Sequence, residues 1–281
     1  MHVVQSPCLK TLSLSWIKNM PLLVFISLSP DITVVKLDGV KVKIQQDSDS
    51  TPRLVAPSQT KRRLPQIKNL HYYDHDTGGI LAFRSFIFDF EQLQFLQISW
   101  GNVPQCALGR KLIKAANKLE GLACAVDSPV KSAAGLAKAI LDNSSDVSLT
   151  ALTIGLSHKT TSPTIPDPDE YDPFLGLIEE LVLLAGKNTV KDLMVHFDTT
   201  KDTHDELTGC LSRFDEVITR EAFPRLERFD LEFWVHYSWP YYAPYGSGLE
   251  ECWAECNGFQ CRGVSTIPGL RFDCPLVIID G

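Results

Sequence analysis

Long apolar runs are scarce in this 281-residue chain, and its 27 lysines and arginines are outnumbered by 34 aspartates and glutamates. The densest apolar stretch, residues 20–28, is far too short to span a bilayer and contains Pro21. The first residues lack the basic segment, apolar run and small-residue cleavage site of a secretory leader. We therefore expect an intracellular protein, cytoplasmic or nuclear, without a membrane partner. The formal net charge of −7 argues against a nucleic-acid partner, because such binding needs a basic surface that displaces counterions.

Sequence motifs of common enzymes are also missing. There is no nucleophile elbow, no phosphate-cradling glycine loop and no zinc-protease helix motif, and none of the seven histidines pairs recognisably with a nucleophile. Residues 76–79 match half of an aspartic-protease motif, but that chemistry needs a second aspartate loop, so a turn explains them better. We therefore expect no enzymatic activity, no catalytic residues and no cofactor.

The eight cysteines do not form the pattern of a secreted disulfide scaffold at this chain length. Cys106, Cys124 and Cys210 stand singly among apolar residues, where a free thiol behaves as a small hydrophobe. The late cysteines could hold zinc, yet their spacings match no common zinc motif, so both a zinc-binding C-terminal module and free thiols stay open. These late cysteines are Cys252, Cys256, Cys261 and Cys274.

The chain does contain a repeated apolar spacing. The pattern apolar-x-x-apolar-x-apolar recurs on average about every 31 residues, a length typical of stacked strand–helix units. The last two apolar positions of each set alternate as a half-buried strand requires. The eight sets are Leu9/Leu12/Leu14, Ile32/Val35/Leu37, Ile67/Leu70/Tyr72, Leu93/Leu96/Ile98, Leu119/Leu122/Cys124, Leu149/Leu152/Ile154, Val190/Leu193/Val195 and Leu226/Phe229/Leu231.

Most intervals between these sets have helical periodicity. Four helices are predicted, and they begin at Asn102, Ser128, Asp172 and Thr203. The third is predicted to end at Gly186 and the fourth at Pro224. Alternating strands and helices with short connections predict parallel strands and right-handed crossovers. Alternate strand positions are polar, so one sheet face must contact water. The predicted fold class is therefore α/β, a right-handed solenoid with a parallel sheet on the concave face and helices on the convex face.

Polar, proline-containing segments interrupt this pattern twice. Residues 45–66 and 157–171 are predicted to be loop insertions in an irregular solenoid that spans residues 1–236. Residues 237–281 are rich in aromatic residues and contain the late cysteines. We predict that they form a C-terminal cap or extension, because a stack of repeats needs its apolar end covered.

The segments LKTLSLSW, LQFLQISW, LTALTIGL and LERFDLEF, each followed by an amphipathic helix, resemble irregular leucine-rich repeats. Over residues 9–236 the chain resembles the leucine-rich-repeat portion of fungal F-box-type proteins, but without a recognisable F-box. The resemblance implies a substrate-recognition subunit of an SCF-type ubiquitin ligase. A Skp1-like adaptor would be its partner only if an F-box exists upstream of these residues.

The leading hypothesis is a non-catalytic scaffold that binds a protein partner, whose identity the sequence does not give. Contacts are expected on the concave strands and on the strand-to-helix loops. Because side chains alternate between the two sides of a strand, eight candidate binding residues are predicted to point outward on the concave face. They are His71, Tyr73, Phe95, Gln97, Met194, His196, Asp230 and Glu232.

Overall fold

A computed structural model shows an α/β protein with a mostly parallel sheet and few helices. The chain divides into two compact units, one formed by residues 1–98 and 111–119 and the other by residues 99–110 and 120–281. The structure describes residues 6, 8–43, 63–73, 87–100, 103–126, 133–142, 149–157, 172, 174–200, 211–237, 267–273 and 276–280.

The first unit is built on four parallel strands in the order β1, β3, β5, β6. Strands β2 and β4 form a separate two-stranded parallel sheet. The register aligns Ser13 with Lys36, Lys36 with His71, and His71 with Gln97. The elements are β1 Thr11–Ser15, β2 Met20–Pro21, α1 Leu22–Ile26, β3 Val34–Asp38, β4 Val42–Lys43, β5 Asn69–Tyr73 and β6 Phe95–Ser99.

The second unit continues the alternation of strands and helices. Its strands follow the order β7, β8, β9, β10, and both β11 and β12 pair with the other edge of β10. Every one of these pairings is parallel. The elements are α2 Val103–Ala115 (residues 111–115 belong to the first unit), β7 Gly121–Val126, α3 Leu136–Leu141, β8 Ala151–Ser157, α4 Leu177–Leu184, β9 Asp192–Thr200, α5 Ser212–Val217, β10 Arg228–Tyr237, β11 Arg271–Asp273 and β12 Leu276–Asp280.

All eight predicted strands are present, at β1, β3 and β5 to β10. The last two apolar positions of each set are buried, except for the half-buried Leu14. The opposite side of these strands, which we call the open face, carries Lys36, His71 and Gln97 in the first unit and Thr153, Met194 and Glu232 in the second. These side chains are exposed or half-buried. The prediction of one buried and one water-facing sheet side is confirmed for the strands that carry these residues, whereas Ala123 on the open face of β7 is also buried.

Aromatic side chains cover the buried face of the second unit. Phe214 of α5 lies with its ring centroid 5.8 Å from that of Phe229 in β10 and 5.1 Å from that of Phe174, which precedes α4. Phe174 in turn lies 6.0 Å from Phe197 of β9. Edge-to-face and tilted contacts at these distances are the arrangements that aromatic rings prefer. Helices and strands of this unit therefore share one apolar core.

The predicted start of α4 is wrong by several residues. Asp172 does not begin the helix but shapes a turn, because its carboxylate accepts hydrogen bonds from the backbone N–H groups of Phe174 and Gly176. Leu175 and Gly176 then adopt left-handed backbone conformations, and the helix begins at Leu177. It ends at Leu184, before the predicted stop at Gly186.

The other predicted helices agree with the structure to different degrees. Helix α2 lies where Asn102 and the following apolar stripe place it. The next helix begins at Leu136, directly after the left-handed Gly135, so it does not start at Ser128 as predicted; Ser128 itself lies outside the described residues. The same holds for the opening at Thr203, upstream of α5.

Most of the two predicted loop insertions, 45–66 and 157–171, lies outside the described residues. The end of the chain is described in part, and residues 237–281 contribute β11 and β12, which pair with β10. The predicted C-terminal cap or extension therefore includes two strands that extend the sheet beyond β10. No helix in the described ranges combines the length and the apolar character needed to cross a bilayer.

Candidate functional site

Four of the eight predicted binding residues form one cluster on the open face of the first unit. The parallel register places His71 beside Gln97, and Asn69 beside Phe95. His71 Nδ1 donates to Gln97 Oε1 at 2.5 Å, and the Gln97 amide donates to the Tyr73 hydroxyl. The His71 and Phe95 rings are tilted by 43° with centroids 5.5 Å apart. The structure therefore brings together His71, Tyr73, Phe95 and Gln97, all half-buried.

The other four predicted residues lie together on β9 and β10 of the second unit. The register aligns Met194 with Asp230 and His196 with Glu232. Met194, His196 and Glu232 are half-buried. This agrees with the prediction that they point to the water-facing side of their strands. The His196 ring also contacts Trp234, with centroids 4.2 Å apart and a tilt of 49°.

Trp234 was not among the predicted binding residues. It lies two residues beyond Glu232, on the same side of β10, and its side chain is 37% exposed. Continuing the alternation of β10 past Glu232 would have placed it on the open face. Trp234 lies within the predicted solenoid, just before the aromatic-rich segment of residues 237–281.

Asp230 departs from the prediction that it is exposed, because the residue is only 4% exposed. Arg228, two residues earlier on the same side of β10, lies with Nε 2.7 Å from Asp230 Oδ2. This carboxylate raises the pKa of the Arg228 guanidinium above its ordinary value, mainly through their hydrogen-bond interaction. The second carboxylate oxygen, Oδ1, has no hydrogen-bond partner within the part of the chain that the structure describes.

Acidic residues dominate the open face from β9 to β11. The register aligns Asp192 with Arg228 and Arg271, and Asp230 with Asp273. Arg271 Nε lies 2.9 Å from Asp273 Oδ2, so this arginine is already paired. Five carboxylates therefore face two guanidinium groups on this surface. We call it the acidic strip, and its charged members are Asp192, Asp198, Arg228, Asp230, Glu232, Arg271 and Asp273.

His196 is held in its neutral form by its surroundings. Burial lowers the pKa of its imidazole below the ordinary value, and the nearby carboxylates of Glu232 and Asp198 oppose this effect without cancelling it. A neutral imidazole adds no positive charge near neutral pH. The acidic strip therefore keeps its negative character there.

Two of the described cysteine thiols, those of Cys106 and Cys124, are poor candidates for nucleophiles. Cys124 of β7 is fully buried, and burial raises the pKa of its thiol far above the ordinary value. Burial also raises the pKa of the Cys106 thiol, although the charge of Arg110 works against it. The reactive thiolate is therefore a minor form of both side chains at neutral pH. Cys210 lies outside the described residues.

Metal binding has no support in the described parts of the chain. Among the described residues, no three histidine, cysteine, aspartate or glutamate side chains are grouped so that they could hold a metal ion. The cysteines of the zinc hypothesis, Cys252, Cys256, Cys261 and Cys274, lie outside those residues. A zinc-binding C-terminal module thus stays a prediction from the sequence.

Two open cavities lie away from the predicted binding residues. One, of about 450 Å³, is lined by apolar side chains such as Phe88 and Phe90 and by charged ones such as Arg63 and Asp89. The other, of about 420 Å³, is lined by polar groups that include Lys191 and Arg220. Neither of these two cavities contains any of the eight predicted residues. Those residues present hydrogen-bonding, aromatic and anionic groups on a sheet surface instead.

Comparisons with protein-family models, with curated proteins and with solved structures gave no match. They therefore identify neither a leucine-rich-repeat protein nor an F-box protein. The role of ubiquitin-ligase receptor stays a prediction from the resemblance. Co-purification with a Skp1-like adaptor would test it.

Proposed function

We propose that this protein is a non-catalytic scaffold that binds a protein partner through the open face of its parallel sheet and through its strand-to-helix loops. We further propose that the repeated strand–helix units form a right-handed leucine-rich-repeat solenoid with the open face on its concave side. Its partner is then another cytoplasmic or nuclear protein.

The observation that carries the proposal is the two-sidedness of the repeated strands. In β3, for example, Val35 and Leu37 are buried while Lys36 between them is exposed. A sheet side that is not used for packing, repeated from strand to strand, provides a surface for a partner. The strand hydrogen bonds already fix its backbone, so binding requires little further ordering of the chain.

The chemistry of the open face also suits a protein partner. In the first unit it carries the hydrogen-bonded set of His71, Tyr73 and Gln97, with the Phe95 ring beside His71. In the second unit it carries the His196–Trp234 ring pair next to the carboxylates of the acidic strip. Tyrosine, tryptophan and arginine supply most of the strong contacts in protein interfaces, and this surface contains all three.

Affinity purification with matched charge variants tests the proposal. The open-face variant carries Gln97→Arg and Glu232→Arg, one substitution in each unit. The control variant carries Ala134→Arg and Glu216→Arg, which add the same charge at exposed positions beside α3 and on α5. Each protein is immobilised, exposed to an extract of the source organism, and its bound proteins are quantified by mass spectrometry.

We expect the open-face variant to lose at least one wild-type partner by about tenfold or more, because a misplaced charge in a buried interface costs more than 1.4 kcal/mol. The control variant should retain that partner at the wild-type level. Circular dichroism spectra must show that both variants are folded. Equal partner recovery by the two folded variants would contradict binding through the open face.

A further inference from the structure

Asp230 is one of the open-face residues that have a buried polar atom without a hydrogen-bond partner among the described residues. The residue is 4% exposed, and its Oδ2 atom faces Arg228 Nε, while Oδ1 has no hydrogen-bond partner among the described residues. Leaving a buried carboxylate oxygen without a donor costs free energy, because the atom has lost its contact with water. A cationic donor from another molecule would recover part of that cost.

The groups around Asp230 favour a cation. Glu232 follows on the same side of β10, about 7 Å further along the strand. The strip also contains the carboxylates of Asp192, Asp198 and Asp273. Its two arginines are already paired, Arg228 with Asp230 at 2.7 Å and Arg271 with Asp273 at 2.9 Å. Negative charge is therefore in excess on this surface.

An aromatic surface adjoins these carboxylates. Trp234 is the next open-face residue after Glu232, it is 37% exposed, and its ring lies against that of His196. Tryptophan is the side chain that binds cations most strongly through its ring face. Its partner His196 favours the neutral form, so this ring pair does not repel an approaching cation.

From this arrangement we propose that the acidic strip binds an arginine side chain of a basic segment in the partner protein. The guanidinium group donates to Asp230 Oδ1 and to the Glu232 carboxylate, and its flat face stacks on Trp234. Arginine fits better than lysine, because its planar group has several donors in fixed directions and also stacks on aromatic rings. This inference rests on the proposed protein-binding function and specifies the chemistry of the partner.

A direct binding measurement tests the inference. The probe is a fluorescent nonapeptide of alternating glycine and arginine, and fluorescence anisotropy follows its binding to the full chain. Matched peptides with lysine or glutamate in place of arginine serve as comparisons. We expect saturable binding in the order arginine, then lysine, with no binding of the glutamate peptide, and weaker binding at higher salt concentration.

Variants locate the binding site. We expect Asp230→Asn combined with Glu232→Gln to weaken arginine-peptide binding by at least about tenfold, since two charge-assisted contacts are lost. Trp234→Leu should weaken it by about threefold to tenfold, the range of one cation–π contact. The control, Glu216→Gln with Glu221→Gln, removes the same charge at exposed positions outside the strip and should bind like the wild type.

Three results would overturn the inference: no saturable binding of the arginine peptide, equal binding by the strip variant and the control, or binding that Trp234→Leu and Glu232→Gln leave unchanged. The last two substitutions keep the test valid if Asp230→Asn does not fold. Loss of partners by the open-face variant in the affinity purification, together with failure of the arginine peptide, would keep the scaffold function and reject the basic partner segment.

Discussion

Replacing Glu180 with alanine should lower the free energy of unfolding by about 3 kcal/mol. Glu180 belongs to α4 and is only 6% exposed, yet its carboxylate reaches the start of α3. Its Oε1 atom accepts a hydrogen bond from the Gly135 N–H at 2.8 Å, and its Oε2 atom accepts one from the Ala137 N–H at 2.7 Å. The first N–H groups of a helix have no partner within it, so alanine would leave two donors unpaired in a buried site.

Glu179, the preceding residue of α4, provides a matched control. Its carboxylate is exposed, and its ion pair with Arg213 at 3.3 Å spans two partly solvated side chains. Such surface pairs contribute less than about 1 kcal/mol. Urea unfolding of the wild type, Glu179→Ala and Glu180→Ala measures both effects. Similar stability losses in the two variants would show that the Glu180 carboxylate does not cap α3.

A single methyl group at Gly109 should also destabilise the protein, by about 2 kcal/mol. Gly109 lies inside α2, where alanine would favour the helix by about 1 kcal/mol if there were room. A Cβ atom there would lie 2.4 Å from Cζ3 and 2.8 Å from Cε3 of Trp100. Trp100 is fully buried, so its ring has little free space into which it could move. Overpacking therefore outweighs the gain in helix propensity.

The control for this prediction is Gly155→Ala in β8. A Cβ atom at Gly155 would meet its nearest neighbour, the Cys124 carbonyl oxygen, at an ordinary 3.9 Å. We expect its thermal midpoint to stay near the wild-type value, while that of Gly109→Ala falls by several degrees. A Gly109→Ala variant as stable as the wild type would mean that Trp100 does not pack against this turn of α2.

The strands could be predicted from the sequence because their determinants are local. Two apolar residues at alternate positions, such as Val35 and Leu37, bury one side of a strand whatever it pairs with. The starts of helices depend on more distant partners. Helix α3 follows Gly135, which has a left-handed backbone conformation. The N–H group of Gly135 donates to Glu180, which lies more than forty positions away in the sequence. Helix α4 follows a turn that Asp172 forms in place of a cap.

The candidate site could be predicted in part for similar reasons. The strand phase correctly placed residues such as His71, Gln97 and Met194 on partly exposed positions of the open face. The burial of Asp230 depends on its surroundings in the fold, and the pairing of β10 with β11 brings Asp273 beside it. Strand β11 has three residues and no repeat pattern, so the sequence did not indicate this contribution to the acidic strip.

Site-specific photo-crosslinking tests most directly whether the open face is the binding surface. Benzoylphenylalanine replaces Trp234 on the open face in one protein and Leu183, which is 53% exposed on α4, in another. After irradiation in an extract of the source organism, we predict a covalent adduct with a partner protein from position 234 and none from position 183. Adducts from position 183 alone would contradict recognition through the sheet and assign it to the helices.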